Sequence, residues 1–304
     1  MNFLITGGSG FVGKNLYKRI KVNSDKNDNI ISLSSKDADL RHATSLEKFN
    51  NIKFDKIYHL ATWHQAGDFS LTHSGEQWIN NQLINTNLLN WWLKYQSNAK
   101  LISIGTSCSY EENGSLEEKD YLTGSPTSSL FSYAMCKRML YIGQQNLAKQ
   151  FGLKYLTLVP STLYGPGYSL QNKIPHFIFD IIKKILLAKK YNNKVELWGD
   201  GSQKRELMHI NDFLNQLFLL ENKYENELIN LGAGQEYEIK YFAKIICDLT
   251  EFDFKKIFFN KDKYTGAKSK NLSVKKIKKI LPDYNQLSLY DGIKETIEDL
   301  REKI

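Results

Sequence analysis

The sequence predicts an α/β protein: a doubly wound parallel sheet followed by a smaller α/β C-terminal lobe. Three observations carry this expectation. Short apolar runs alternate with longer stretches of helical spacing as far as Pro160. The first run ends in a glycine turn that opens a helix. After Pro160 the texture changes to short, broken pieces.

Taken in order, Asn2–Thr6 reads as the first strand. Phe11–Lys21 reads as a helix, with Phe11, Val12, Leu16 and Ile20 near helical spacing. Asn23–Asn29 is a polar loop, Ile30–Leu33 a second strand and Lys56–Leu60 a third. A long helix is expected over Gln77–Gln96, a fourth strand over Lys100–Gly105, a helix over Phe131–Phe151 and a fifth strand over Lys154–Pro160. Repeated strand–helix units predict parallel strands covered on both faces. Beyond the breakers Gly165, Pro166 and Gly167, Phe177–Ala188 is helical and Lys194–Trp198 strand-like. Glu227–Leu231 reads as one more strand of the first sheet, and Tyr237–Ile304 as short helices and strands.

Composition narrows the function classes. Over 304 residues, 41% hydrophobic and 24% charged content is that of an ordinary globular protein. The net charge of +8 is spread along the chain, with no basic run interleaved with aromatics, so an anionic small ligand is expected rather than nucleic acid. Cys108, Cys136 and Cys247 are odd in number and form no CxxC pair, which argues against a disulfide framework or a metal site and suits a reducing cytoplasm. No signal peptide or bilayer-length apolar stretch is expected, and the amphipathic Phe177–Lys190 reads as a lobe helix with a solvated Lys face.

Two motifs carry chemistry. Gly7-Gly-Ser-Gly10-Phe-Val-Gly13 follows the first strand and opens the first helix. Glycines there allow a tight turn, close approach of the main chain to a pyrophosphate, and close helix–sheet packing. The helix N-terminus then offers unpaired N–H groups to phosphate. Whether the dinucleotide is NAD or NADP should be decided after the second strand, where Ser34, Ser35 and Lys36 fit neither pattern and Asp39 comes slightly later.

The second motif is Tyr133-Ala-Met-Cys-Lys137, whose spacing puts a phenol and an ammonium on one helix face. A nearby positive charge lowers the pKa of a phenol, so Tyr133 could exchange a proton with a sugar hydroxyl. Thr106, Ser107 and Cys108 follow the fourth strand and bring hydroxyls to the same cleft.

Together these pieces resemble the extended short-chain dehydrogenase/reductases, the NAD-dependent epimerase/dehydratase family, and most of all its GDP-L-fucose synthase-like members. The resemblance also rests on His59-Leu-Ala61, on Asn81 six residues before Asn87-Leu-Leu89, and on Pro160-Ser-Thr-Leu-Tyr-Gly-Pro166. Trp198-Gly-Asp-Gly201 and Arg205-Glu-Leu-Met-His209-Ile-Asn-Asp212 complete it.

The resemblance implies a Rossmann domain at residues 1–165 with a return segment at about 205–235, and a nucleotide-sugar lobe at 166–204 and 236–304. Gly7, Gly10 and Gly13 would hold the pyrophosphate, and Asp39 and Leu40 would flank the adenine. Phe11, Val12, Ser34, Leu60, Ala61, Thr62, Asn81 and Pro160 complete the expected cofactor set. NAD is expected, with NADP the alternative. Tyr133 is the expected acid/base, Lys137 its partner, and Thr106 the hydroxyl on the reacting oxygen. Trp63, His64, Thr162, Asn172, Trp198 and Arg205 are expected at the sugar nucleotide. A homodimer through residues 77–96 and 131–151 is also implied.

Departures shape the reaction. The family's dehydratases carry Asp-Glu after the Thr; here Ser107 and Cys108 argue against dehydration. Its GDP-L-fucose synthase-like members epimerise with a Cys and a His before reducing C4. Cys108 matches the Cys, but Asn172 stands at the His position, and an amide cannot shuttle a proton. His176, after Pro175, is expected to point elsewhere. The Arg pair for the NADP phosphate is replaced by Ser9 and Ser34, and Thr162 replaces an Asn.

The resulting expectation is hydride transfer at C4 of an NDP-sugar, with a GDP-hexose or GDP-heptose favoured, by a dehydrogenase or 4-ketoreductase of surface polysaccharide (capsule) biosynthesis. A 4-epimerase and a GDP-L-fucose synthase-type epimerase/reductase are the alternatives. A non-catalytic dinucleotide sensor is a remote one, since such a protein would not need the Tyr–Lys pair.

Overall fold

The structure, a computed structural model, describes residues 1–112, 114–170, 174–263 and 268–304. Its strands are β1 (Asn2–Thr6), β2 (Asn29–Leu33), β3 (Lys56–His59), β4 (Lys100–Ile104), β5 (Tyr155–Pro160), β6 (Thr162–Tyr164), β7 (Val195–Trp198), β8 (Lys204–His209), β9 (Glu227–Leu231), β10 (Glu236–Glu238) and β11 (Ile257–Asn260). The helices are α1 (Phe11–Asn23), α2 (Phe69–Thr72), α3 (Ser74–Tyr95), α4 (Phe131–Phe151), α5 (Phe177–Tyr191), α6 (Ile210–Glu221), α7 (Ile239–Thr250), α8 (Lys275–Ile280) and α9 (Leu289–Arg301).

Six parallel strands form the main sheet, in the order β2-β1-β3-β4-β5-β9. The alternation of side chains along each strand divides the core in two. Phe3, Ile5, Tyr58 and Ile102 face one way, toward Leu16 and Ile20 of α1 and Phe213, Leu214 and Leu217 of α6. Leu4, Ile57 and Leu101 face the other, toward Ile84, Leu88, Trp91 and Trp92 of α3. Trp91 and Trp92 are thus core residues, and their indole N–H groups are satisfied by Asn50 Oδ1 at 2.8 Å and the Ala99 carbonyl at 2.9 Å. The expected parallel, doubly covered sheet is the observed one.

The chain leaves β1 through α1 to β2 on one side, then crosses to β3 on the other. That reversal opens a crevice at the carboxyl ends of β1 and β3, where ligands of such sheets bind.

Two small sheets lie outside the main one: β10-β8-β6 and β11-β7. They share a separate apolar core with α5, α7 and α9, built around Phe179, Ile182, Phe242, Ile246 and Ile297. The return to the main sheet, expected from about residue 205, starts with α6, because β8 pairs with β6 and β10 instead. Three-residue strands such as β6 and β10 have no room for a periodic signature, so the sequence does not announce them.

Candidate active site

The glycine turn is built for something to approach it. Gly7 has a φ of +70°, and a Cβ there would fall 2.7 Å from the Ala61 nitrogen. At Gly13 a Cβ would fall 2.4 Å from the Gly7 carbonyl oxygen. Larger residues would push α1 away from β1 and from the loop after β3. Gly10 caps α1 without a side-chain bond, and the first turn holds no acidic residue. Its N–H groups, and the surroundings set by Phe11, Val12, Leu60 and Ala61, therefore suit the pyrophosphate of a dinucleotide.

Farther along the sheet edge, Ser34 donates its hydroxyl and its N–H to Asp37 Oδ2, at 2.6 and 2.8 Å. Asp39 is gripped by Arg41, whose Nη2 lies 2.6 Å and Nε 2.9 Å from it. That guanidinium holds the Asp39 carboxyl down at about 2, so it stays ionised. Leu40 differs from the adenine-flanking expectation: its side chain is buried in the core, and its carbonyl accepts from Asn87 at 2.8 Å.

Asn81 is held within the protein. Its oxygen accepts from Thr62 Oγ1 and the Trp63 N–H, at 3.0 and 2.9 Å, and its nitrogen donates to the Trp63 and Gln77 carbonyls. It positions the loop carrying Thr62, Trp63 and His64. His59 sits below, fully buried, between Thr6 Oγ1 at 2.9 Å and Asn85 Oδ1 at 3.1 Å, and desolvation keeps it neutral with a pKa of about 3.

At the ends of β4 and β5 the chemistry converges. The Thr106 side chain lies close enough to the Tyr133 phenol to favour its ionised form, though less than burial opposes it, and the His64 ring stacks on the Tyr133 ring at 4.2 Å between centroids. His64 Nδ1 accepts from Gln77 at 2.9 Å, and burial lowers the histidine to about 3, so the stacked ring is neutral. Lys137 lies one helical turn on, its Nζ 5.9 Å from the Tyr133 ring centre. Trp63 packs on Phe69 at 4.9 Å.

One expectation is corrected here. Tyr133 is not made more acidic in this geometry: burial, aided by Cys108 and Tyr121, raises it above the ordinary phenol value. Lys137 is itself desolvated and brought down to about 8. Burial disfavours a charge on either group, and at this separation it outweighs their attraction. His176 is exposed at the start of α5, with its backbone N–H on the Tyr168 hydroxyl at 3.3 Å.

Cys108 sits on the turn after β4, with its N–H on Thr106 Oγ1 at 3.3 Å. Lys270 donates to its sulfur at 3.0 Å. Sequence reading missed Lys270, since it lies in a lysine-rich stretch with nothing to single it out. It missed Gln77 and Tyr121 as well.

The remaining expected residues spread toward the small sheets. Pro160 ends β5, Thr162 opens β6 against Leu207, Trp198 ends β7 half exposed, and Arg205 lies on β8 opposite Tyr237. Asn172 lies outside the described residues. Among the described residues, no cluster of His, Cys, Asp or Glu could hold a metal, and no helix is long and apolar enough to cross a membrane.

A glycine cradle at the switch point of a parallel sheet, with a Thr–Tyr–Lys set at the neighbouring strand ends, defines a nicotinamide-dependent enzyme of the short-chain dehydrogenase/reductase type. The chain belongs to the NAD dependent epimerase/dehydratase family, whose profile matches residues 3–232. It is an NAD(P)-dependent enzyme of that family. Over 97% of its length it is 28% identical to GDP-L-fucose synthase of Dictyostelium discoideum, covering 93% of that protein. Over 98% of its length it is 30% identical to GDP-L-colitose synthase of Yersinia pseudotuberculosis, covering 97% of that protein. The fold is shared with a GDP-L-fucose synthetase from Naegleria fowleri bound to NADP, at a TM-score of 0.87 and 24% identity over 99% of this chain and 94% of that one. It is also shared with a GDP-mannoheptose C4 reductase from Campylobacter jejuni with NADP bound, at a TM-score of 0.85 and 21% identity over 99% and 98% of the two chains.

Proposed function

We propose that this chain is a nucleotide-sugar oxidoreductase acting at C4 of a GDP-linked hexose or heptose, as a 4-ketoreductase or the corresponding dehydrogenase. The observation that carries this reading is Tyr133 stacked under the His64 ring, with Lys137 one helical turn on and Thr106 beside it at the end of β4. The relatives named for GDP-sugars favour the guanine nucleotide.

Gly7, Gly10, Gly13 and the first turn of α1 would hold the pyrophosphate of the cofactor. When bound, the nicotinamide supplies or accepts the hydride. The chain's own residues manage the proton. Tyr133 keeps its proton at neutral pH because burial penalises the phenolate, so it is set to donate to the oxygen at C4 as a ketone is reduced. Thr106, beside the Tyr133 phenol, is assigned to the same oxygen. Lys137 brings a positive charge within reach, which favours loss of the phenol proton at the moment of transfer. His64 and Trp63 close one side of the cleft, while Arg205, Trp198 and Thr162 are assigned to the sugar nucleotide.

We further assign a homodimer, formed through the outer faces of α3 and α4. Trp78, Ile79, Leu83, Phe131 and Met139 are exposed on these helices. The free thiols Cys108, Cys136 and Cys247 suit a cytoplasmic enzyme, and we place it in the synthesis of a surface polysaccharide such as capsule.

The test is Tyr133→Phe assayed against GDP-, UDP-, dTDP- and CDP-linked 4-keto sugars with deuterium-labelled cofactor. Loss of at least about 100-fold in kcat, with binding retained, is expected on the GDP-sugar. Undiminished turnover of each sugar would remove the assignment.

A further inference from the structure

We propose that Gln77 and His64 form a positioning pair for Tyr133: Gln77 sets the orientation of the His64 imidazole, and that ring, lying flat on the phenol, holds Tyr133 in the pose that meets the reacting oxygen. The inference deepens the proposed function and rests on it for the part Tyr133 plays.

The pair comes from two segments. His64 lies on the loop after β3, and Gln77 lies in the first turn of α3. Gln77 is fully buried and stands one helical turn before the buried Asn81, so both amides face the same loop. Asn81 holds the backbone of that loop, through the Trp63 N–H at 2.9 Å and the Trp63 carbonyl at 3.0 Å. Gln77 holds the side chain that follows, with its Nε2 2.9 Å from His64 Nδ1. One amide places the loop, and its neighbour sets the ring the loop carries.

The same bond decides which ring nitrogen bears the proton. An amide NH2 only donates, so Nδ1 accepts and the proton sits on Nε2. Gln77 Oε1 is buried without a partner among the described residues. Turning the amide over would put its oxygen on Nδ1 and leave the NH2 in that unpartnered place. Two stranded donors would then replace one stranded acceptor, which is the costlier arrangement. An imidazolium fails on the same ground, because a protonated Nδ1 would face a donor. Burial works in the same direction and keeps the ring neutral.

Tyr133 needs such a hold. It is the third residue of α4 and only partly buried, and two single bonds let its ring swing. The His64 ring covers one of its faces, 4.2 Å away between centroids and within 15° of parallel. A stacked pair favours one pose by up to about tenfold, and misplacing a reacting group by about an ångström costs about a hundredfold in rate. The neutral ring does this without adding a second cation beside Lys137, whose Nζ lies 5.9 Å from the Tyr133 ring centre.

The test has one arm that needs no sugar and one that does. Nitrogen-15 NMR of histidine-labelled protein reads each ring nitrogen, with His64 assigned by its loss in His64→Phe. The wild type should show Nδ1 bare and Nε2 protonated, and Gln77→Leu a mixture of the two tautomers. A crystal structure of His64→Ala should show Tyr133 in a second pose. On a GDP-4-keto sugar, His64→Ala and Gln77→Leu should each lower kcat by about tenfold, with the KM for the cofactor unchanged as the sign of a folded protein. The double variant His64→Phe/Gln77→Leu removes both polar partners and keeps a flat ring, so kcat should return to within about threefold of the wild type. A proton on Nδ1 in the wild type, or a tautomer that Gln77→Leu leaves unaltered, overturns the inference. So does an unmoved Tyr133 in His64→Ala, or a loss of kcat that the double variant fails to recover. The tautomer and the tyrosine pose are read without substrate, whereas Tyr133→Phe tests the reaction, so failure of this inference and failure of the C4 assignment are distinguished.

Discussion

Lys137 carries an amine into the interior, where water no longer supports its charge, and the amine falls from 10.5 to about 8. The folded state therefore binds fewer protons than the unfolded chain between about pH 8 and 10.5. The buried charge destabilises the fold below about pH 8, and the penalty is relieved as the pH rises through that window. Lys137→Met should raise unfolding stability at pH 7 by about 1–3 kcal/mol, read from urea denaturation, while turnover drops by about 100-fold or more. A simple packing role for the side chain would lower both together. The sequence showed this pair because a four-residue spacing on a helix is a local fact. It could not show that burial would push Tyr133 up, because burial belongs to the fold around the helix. Nor could it show Lys270, which is one of many lysines until the C-terminal loop is placed over Cys108.

Among elements, β8 does the most to join the lobe to the site. Glu206 on that strand accepts from the Gly234 N–H at 2.7 Å and the Leu272 N–H at 2.9 Å, tying together two loops. Burial nevertheless raises its carboxyl from 4.5 to about 7. The folded state then binds more protons than the unfolded chain between about pH 4.5 and 7. The stability this group contributes is complete below about 4.5 and is lost as the pH rises through 7. Glu206→Gln should flatten the fall in thermal stability over that window, an effect of about 1–3 kcal/mol, measured as Tm against pH. Equal slopes in the two proteins would show that Glu206 does not titrate there. Legibility among the elements followed their length. The 21-residue α4 was readable to its ends, as Phe131–Phe151, while β6 and β10, at three residues each, were not.

For the molecule as a whole, the sheet order puts the glycine cradle, the β4 turn and the β5 end along one edge, and the small sheets build a second core of their own. The opposite side of α3 and α4 leaves Ile79 59% exposed and Leu83 42% exposed, a heavy apolar load for helices facing water. If the proposed homodimer forms through these helices, Leu83→Glu should leave a monomer in light scattering at micromolar concentration where the unaltered protein is a dimer, with the secondary structure unchanged. An unaltered mass would move the interface elsewhere.

The sequence by itself determined the parallel sheet, the cradle for a dinucleotide and the tyrosine–lysine helix. Each depends on residues near one another along the chain, through strand alternation, a glycine turn or a single helical turn. Only the tertiary structure decided that Leu40 is core, that Asn81 holds a loop, that His64 roofs Tyr133, and that Lys270 meets Cys108. Those outcomes depend on burial and on contacts between distant segments, and neither is fixed until the sheet and the lobe have closed on each other.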